Sequence, residues 1–501
     1  MIRRFLLIAL VIVLAVGAIV AGGAYWLLRG DGIRLAIEQQ ASRWLGQPVT
    51  IGSATVQVVP RIAIALHDVR AGNPARVTLA DVRIATALRP LLSRRIEDAQ
   101  ILISNSRIEM PLPFSLPDSS ASTPSAATGQ GGIEIVSVSS IGLRDVTVAS
   151  KGREITVSSD AALDGGQLRL TRFTASAGQT SLDANGVVQL TPRLDGQLAV
   201  KAKKVDVDDL VTLADAFAPK TPRSGAATSP LAGRIIAHIN ADVARTSGVD
   251  VRDFATTLVA QGNRITLSPV TFQLFGGKYQ GSLDFDSEAK AISATVRAQL
   301  TGLDVAQLAA FGGVADTMTG SLSGAGTFSG RGATVSDAIA SAAGEGTATI
   351  TNGQLKRLGL IRTVVLFFGR PAPNAGATSD AFEHIDAMFA IARQVVSASA
   401  LSLHSADLDL IGQGTLAIPS KSLDGKFNLS LSEALSAQAG TDLYRFTREG
   451  NRVVLPATIG GTLDAPRVSI DAKAAAGRGL QNEVQRRLKG LLDGLSSAPK
   501  D

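Results

Sequence analysis

The sequence predicts a mainly β protein: one N-terminal transmembrane helix, then an elongated antiparallel sheet with a few short capping helices. Three observations carry this. Residues 5–28 form an uncharged apolar run. Beyond it, short segments alternate apolar and polar residues and are broken by Gly, Asp and Asn, the signature of strands with one dry and one wet face. Helical periodicity is sparse, and most gaps between strand-like segments are too short for the crossovers a parallel sheet needs.

The first element is the span. FLLIALVIVLAVGAIVAGGAYWLL, from Phe5 through Leu14 to Leu28, is long enough to cross a hydrocarbon core of about 30 Å as a helix. Arg3 and Arg4 precede it, and Tyr25 and Trp26 stand where an aromatic belt would lie. The positive-inside rule keeps the short tip in the cytoplasm and places the rest outside. A cleavable signal with Gly22 and Ala24 at its end is the competing reading, but the run exceeds the roughly 7–15 apolar residues of such signals. Either way the body is exported.

A helix is expected over Ile33–Leu45, and the period then changes. In GSLDFDSEAKAISATVRAQL, Leu283 and Phe285 mark the apolar side of one strand. Ile292, Ala294, Val296, Ala298 and Leu300 mark that of its partner. In IGLRDVTVASKGREITVSSDAAL the apolar set is Ile141, Leu143, Val146, Val148, Ile155 and Val157, and the shift between Leu143 and Val146 predicts a bulge or turn near Asp145. Asp164-Gly165-Gly166, Asn185-Gly186, Asp195-Gly196 and Asp424-Gly425 read as hairpin turns. Helices are expected at Val335–Ala343, Gln354–Phe368 and Asp380–Val396. Asp206–Phe217 and Asp304–Phe311 look like two copies of one motif, each closing a run of strands. The Pro- and Ser-rich segment 111–132 is read as a boundary. The expected organisation is therefore tip and anchor (1–29), helix plus β unit (30–110), loop (111–132), β body (133–475), and C-terminal helix and tail (476–501). In that last helix Leu480, Val484, Leu488, Leu491, Leu492 and Leu495 form one stripe, suited to a membrane surface or partner or to capping the last strand.

Composition narrows the function. The chain has 501 residues, with 45% hydrophobic, 18% charged and 4% aromatic. Absence of cysteine removes disulfides, thiolate metal sites and cysteine nucleophiles together. A net charge of +6, scattered and without interleaved aromatics, argues against nucleic acid. His384 beside Glu383 and Asp386 is read as a solvated helix face. His67 and His404 stand near Asp68 and Asp407, and no HExxH, GxSxG or Walker A spacing occurs. GAGTFSG (Gly324, Gly326, Gly330) reads as a glycine-rich turn rather than a phosphate loop, and the pairs Asp407/Asp409 and Asp284/Asp286 as polar strand faces. No catalytic, cofactor-binding or metal-ligating residue is assigned, and an enzyme is not expected.

Two groups of segments stand out: VTIGSATVQVVPRIAIALHDVRAG with LRPLLSRRIEDAQILISNSRIEMP near the N-terminus, and, more fully, FGGKYQGSLDFD, TGLDVAQLAAF, LSGAGTFSGRGATVSDAIASAAGEGTATITNGQLKRLGLIRTV and the closing LPATIGGTLDAPRVSID. In these the chain resembles the AsmA family of envelope proteins, within the bridge-like lipid-transfer group. The resemblance implies a single-pass inner-membrane protein, cytoplasmic at its N-terminus, whose periplasmic body forms a taco-like β-groove. It also implies phospholipid binding or movement, outer-membrane biogenesis and an influence on outer-membrane protein assembly. The expected groove lining is Leu143, Val146, Val148, Leu283, Phe285, Ile292, Val296 and Leu300. Expected partners are the membrane, phospholipid and unidentified envelope proteins. The alternative is a β scaffold that regulates assembly in the envelope and binds no lipid.

Overall fold

A computed structural model describes most of residues 31–475. The segments 58–61, 87–94, 113–133, 211–230 and 370–379 fall outside the described residues, as do 1–30, nearly all of 476–501 and scattered single or paired positions. The predicted anchor, with Phe5, Leu14 and Leu28, lies outside them. Among the described residues no helix is long and apolar enough to cross a membrane. The chain divides into two compact units, Met1–Asn263 and Arg264–Asp501.

The first unit opens with α1 (Asp31–Leu45), β1 (Val49–Thr50), β2 (Ser53–Gln57), β3 (Ile62–Ala71) and β4 (Val77–Thr86). There follow β5 (Arg95–Ile96), β6 (Ala99–Ser104), β7 (Arg107–Met110), β8 (Glu134–Ile135), β9 (Val138–Ser150) and β10 (Arg153–Asp164). The unit ends with β11 (Gln167–Ala177), β12 (Thr180–Gln189), β13 (Leu194–Asp206), β14 (Leu231–Thr246) and β15 (Val249–Gly262). Helix α1 is tied to the sheet by its side chains: Glu38 accepts from the Ile51 amide at 2.7 Å and Ser42 from that of Val49 at 2.9 Å. The core of this unit is closed. Ile37 of α1 packs with Leu66, Val82, Ile84, Ile101, Ile103 and Val146.

The sheet here is mixed, not purely antiparallel as expected. β6 and β7 both run parallel to β9, and β13 runs parallel to β14. Two long connections make this possible, 111–132 and the stretch after Asp206, each long enough for the crossover that parallel pairing requires. The sheet thus continues across the segment 111–132. The bulge at Asp145 is present: its φ is +50°, and the register with β10 slips between Val157↔Val146 and Ser159↔Leu143.

The second unit is antiparallel throughout its described pairings. In order come β16 (Arg264–Leu274), β17 (Gly277–Glu288), β18 (Ala291–Asp304), α2 (Val305–Phe311), β19 (Ser321–Gly332), α3 (Val335–Ala340), β20 (Ala343–Gln354) and α4 (Leu360–Phe367). β21 (Ala381–Ala392), β22 (Val395–His404), β23 (Leu408–Ala417) and β24 (Ser422–Leu431) follow, then α5 (Glu433–Ser436), β25 (Arg448–Glu449), β26 (Arg452–Thr462) and β27 (Pro466–Ile470). Each strand from β16 to β24 pairs with the next, β24 pairs with β26, and β26 with β25 and β27. The tight turns sit at Phe275-Gly276, where both φ angles are positive, and at Arg393-Gln394, likewise.

Three sequence expectations are corrected here. Residues 381–392 form strand β21, not a helix. Ala, Glu and Met favour a helix, but Ile385, Ala387, Phe389 and Ile391 alternate and continue the apolar face of β20, and that tertiary pairing overrides propensity. Asn185-Gly186, Asp195-Gly196 and Asp424-Gly425 lie inside β12, β13 and β24 rather than in turns. Two of these glycines meet close neighbours: a Cβ on Gly186 would stand 2.1 Å from the Gln197 carbonyl oxygen, and one on Gly425 would stand 2.4 Å from the Phe427 ring. Gly324, Gly326 and Gly330 are strand residues of β19, neither turn nor phosphate loop.

The repeated Asp motif has a physical role. Asp206 ends β13 and accepts from the Asp209 amide at 3.0 Å; Asp304 ends β18 and accepts from the amides of Ala306 at 2.8 Å and Gln307 at 3.1 Å. Each aspartate caps a helical turn at the end of a strand run. Bonds from the Gln307 amide and side chain, then the Ala306 amide, hold the Asp304 carboxyl below its ordinary value of 3.8. A depressed folded value means the cap stabilises fully above the unfolded value, and the stabilisation is lost as pH falls through the folded one. Asp304→Ala should therefore lower stability by about 1 kcal/mol near neutrality. In urea titrations the variant and the parent should converge in strong acid.

Candidate apolar binding face

Strands β16–β20 present one face built of apolar side chains and glycines. Register fixes it. Leu283 faces Val296, which faces Phe328, which faces Gly344; Leu300 faces Gly324, which faces Ala348. Phe285 faces Ala294, and Ala298 faces Gly326, which faces Gly346. The opposite face is charged and polar: Asp284 accepts from Thr266 at 3.1 Å and from Arg297 at 3.1 Å, and Arg264 pairs with Asp286 at 3.6 Å.

The glycines let aromatic rings lie flat. A Cβ on Gly326 would stand 2.7 Å from the end of the Phe328 ring, one on Gly344 2.7 Å from its edge, and one on Gly346 2.9 Å from Phe389. Phe328 and Phe389 lie nearly parallel, with centroids 6.3 Å apart. On the neighbouring hairpin Phe272 stacks on Tyr279 at 4.4 Å, and burial pushes the Tyr279 phenol up from its ordinary value. Rings over glycines make a low, smooth, apolar floor with no bulky side chain standing on it.

This floor is uncovered. Leu283, Phe285, Ile292, Val296, Leu300 and Phe328 are each half-buried. The strands further along the same unit differ. There α4 lies over the sheet, and Val364, Leu429, Leu431, Val453 and Leu455 are fully buried beneath and around it. A sheet with one apolar face must cover that face. Here α4 does so for β21–β26 and α3 for the Gly330–Gly332 end of β19, while no described element covers the apolar side around Leu283, Val296, Leu300 and Phe328.

The predicted lining residues therefore separate. Leu283, Phe285, Ile292, Val296 and Leu300 share the half-buried face, with Leu283 opposite Val296. Val146 and Val148 lie in the closed core of the first unit, and Leu143 packs against it, so these three do not belong to an open surface. Phe328, Phe389 and the glycines beneath them escaped the sequence reading. Their signal was the same-parity spacing Gly324-x-Gly326-x-Phe328 with Gly344-x-Gly346, which places every glycine and the ring on one face.

The histidines are arranged otherwise than expected. His384 is on β21, directly opposite His404, with ring centroids 5.2 Å apart. His404 Nδ1 bonds Asp409, which also accepts from Arg452 Nη1 at 2.6 Å; Arg452 donates besides to the carbonyls of Leu431 and Ser430. Asp407 lies in the turn before β23, so it does not share a strand face with Asp409. Among the described residues no three His, Asp or Glu groups are placed to hold a metal ion. The cluster is a charged network that knits the polar sides of β21–β26.

No curated protein and no solved structure matches the chain. The model of the AsmA family matches residues 231–403, the stretch from β14 through β22 that contains this floor.

Proposed function

We propose that the half-buried face of β16–β20 holds the acyl chains of phospholipids, with headgroups left in water, and that the protein binds or moves lipid for outer-membrane biogenesis. The match to the AsmA family over residues 231–403 supports an envelope role in lipid transport or assembly, and proteins of that family are generally envelope-associated. The observation that carries the finer reading is the uncovered floor itself. Contiguous exposed apolar surface of this kind marks an interaction or ligand site. Each CH₂ buried contributes about 0.8 kcal/mol, so a tail that leaves a bilayer for this floor exchanges one apolar surrounding for another at little net cost. Such a carrier needs no catalytic group. In this reading the chain is anchored through residues 5–28 in the inner membrane with its body in the periplasm, and envelope proteins are its partners.

Site-specific photo-crosslinking in cells tests it on the full chain. A photoreactive residue at Leu300 or Phe285 should yield phospholipid adducts, detected by mass spectrometry. The same residue at Thr295 or Asp284, on the opposite face, should not. Adducts to protein alone at Leu300 and Phe285 would replace this reading with the non-lipid scaffold.

A further inference from the structure

A polar atom lies on the apolar floor itself: the hydroxyl of Tyr279. Strand register puts the ring on that face, with Tyr279 opposite Phe272 on β16 and Leu300 on β18. The ring lies along its own strand above Gly281, where a Cβ would stand 2.6 Å from the hydroxyl oxygen and 2.9 Å from Cζ. Gly281 is flanked in turn by Val270 and Ala298. Among the described residues the hydroxyl has no hydrogen-bond partner, and burial is the one cause of the raised phenol. The packing does not need that oxygen. Phe328 rests on Gly326 and Phe389 on Gly346 in the same way. The chain holds 16 phenylalanines against three tyrosines, so a ring without a hydroxyl is what it ordinarily supplies. While the floor is open, water satisfies this half-buried hydroxyl. A ligand that covers the floor expels that water. The hydroxyl then either meets an acceptor on the ligand or bears the full desolvation of an unmade bond.

We propose, on the reading of the floor as a lipid site, that the Tyr279 hydroxyl donates to the ester carbonyl of an acyl chain lying there, so that the site selects ester-linked over ether-linked lipid. The chemistry of a phospholipid leaves one kind of acceptor for this place. Methylene groups carry none. Phosphate oxygens are charged, and bringing them onto an apolar face costs far more than one hydrogen bond returns. The ester carbonyl is neutral, accepts through an sp² oxygen and lies where the tails join the headgroup. With it seated at Tyr279, the tails extend over the floor while the phosphate stays in water. A dialkyl ether lipid has the same tails and headgroup but no carbonyl, and leaves the hydroxyl unpaired. A site built to bond a polar atom of its ligand discriminates strongly against the analogue that lacks it, because the site's own group is then stranded.

The full chain in detergent is compared with Tyr279→Phe, which keeps the ring and its stack on Phe272 and removes only the oxygen. Each carries a photoreactive residue in place of Phe285. Each is titrated with a diacyl phosphatidylethanolamine and, separately, with the dialkyl ether of identical chain length and headgroup, and adducts are measured by mass spectrometry. The parent should reach half-saturation at about fivefold lower concentration of the diacyl lipid, the fold-change of one net hydrogen bond. Tyr279→Phe should treat both lipids alike, with a urea midpoint no lower than the parent's. A parent that does not distinguish the two lipids would overturn the proposal. So would a preference kept by Tyr279→Phe with both lipids weakened alike, which would assign the hydroxyl to the headgroup they share. Absence of adducts from either lipid in the parent would overturn the lipid reading of the floor, and this assignment with it.

Discussion

Val146→Asp is expected to unfold the first unit, whereas Val296→Asp is expected to leave the second unit folded and remove its lipid. Both residues were legible as apolar strand positions, and the substitution is chemically identical. Their surroundings differ. Val146 is 0% exposed among Ile101, Ile103, Ile108 and Val148. A carboxylate there has neither water nor a partner, so the expected loss exceeds about 4 kcal/mol, a large part of a domain's stability. Val296 stands on the uncovered floor between Leu283 and Phe328. A carboxylate there keeps part of its hydration, so the urea midpoint should move by no more than about 1 kcal/mol in stability, the range of surface changes rather than core ones. It should nonetheless abolish phospholipid adducts at Leu300, because an acyl chain would have to lie against a charge. Equal unfolding by both substitutions would show that β18 is covered as tightly as a core. A folded Val296→Asp protein with undiminished adducts would show that lipid sits elsewhere.

Much of this architecture is written in alternation. The hairpin of β17 and β18 was legible residue by residue because Leu283, Phe285, Ile292, Val296 and Leu300 repeat every second position, and nothing in their local chemistry competes. The bulge at Asp145 was legible because it breaks that repeat. Two kinds of feature were not. Parallel pairing of β13 with β14 depends on where a long connection returns, and period-2 alternation is the same for either direction. The misread glycines share one cause. Asp-Gly and Asn-Gly favour tight turns, yet Gly186 and Gly425 sit in strands where a Cβ would strike a neighbour. A glycine on the inward side of a strand makes room for a neighbour's side chain, and local sequence shows the missing Cβ without showing the neighbour. Closed core and open floor are likewise indistinguishable in sequence, since Val146 and Val296 sit in the same pattern. What separates them is whether a helix such as α4 comes back over the sheet.

The glycine floor yields a second large expected effect with an unusual sign. Replacing a strand glycine by alanine ordinarily stabilises by about 0.5–1 kcal/mol, through reduced freedom of the unfolded chain. Gly326→Ala should destabilise instead. The new Cβ would stand 2.7 Å from Cζ and 2.8 Å from Cε2 of Phe328, and 2.9 Å from the Glu345 carbonyl oxygen. The ring must therefore lift off the sheet, at the cost of overpacking, about 1–3 kcal/mol. A lifted Phe328 ring also stands up in the path an acyl chain would take, so adducts at Leu300 should fall together with stability. Phe328→Leu removes the ring that causes the conflict. Combined with Gly326→Ala it should recover at least about 0.5 kcal/mol relative to the sum of the single changes, the coupling expected of residues in direct contact. Strict additivity in that cycle, or a stabilised Gly326→Ala protein, would mean that the ring does not rest on this glycine. The floor would then owe its smoothness to something other than flat aromatics. Gly344→Ala is the harsher change: its Cβ would meet the Thr327 carbonyl oxygen at 2.1 Å and the Phe328 Cα at 2.7 Å besides the ring at 2.7 Å, so it should destabilise more than Gly326→Ala, and Phe328→Leu should not rescue it.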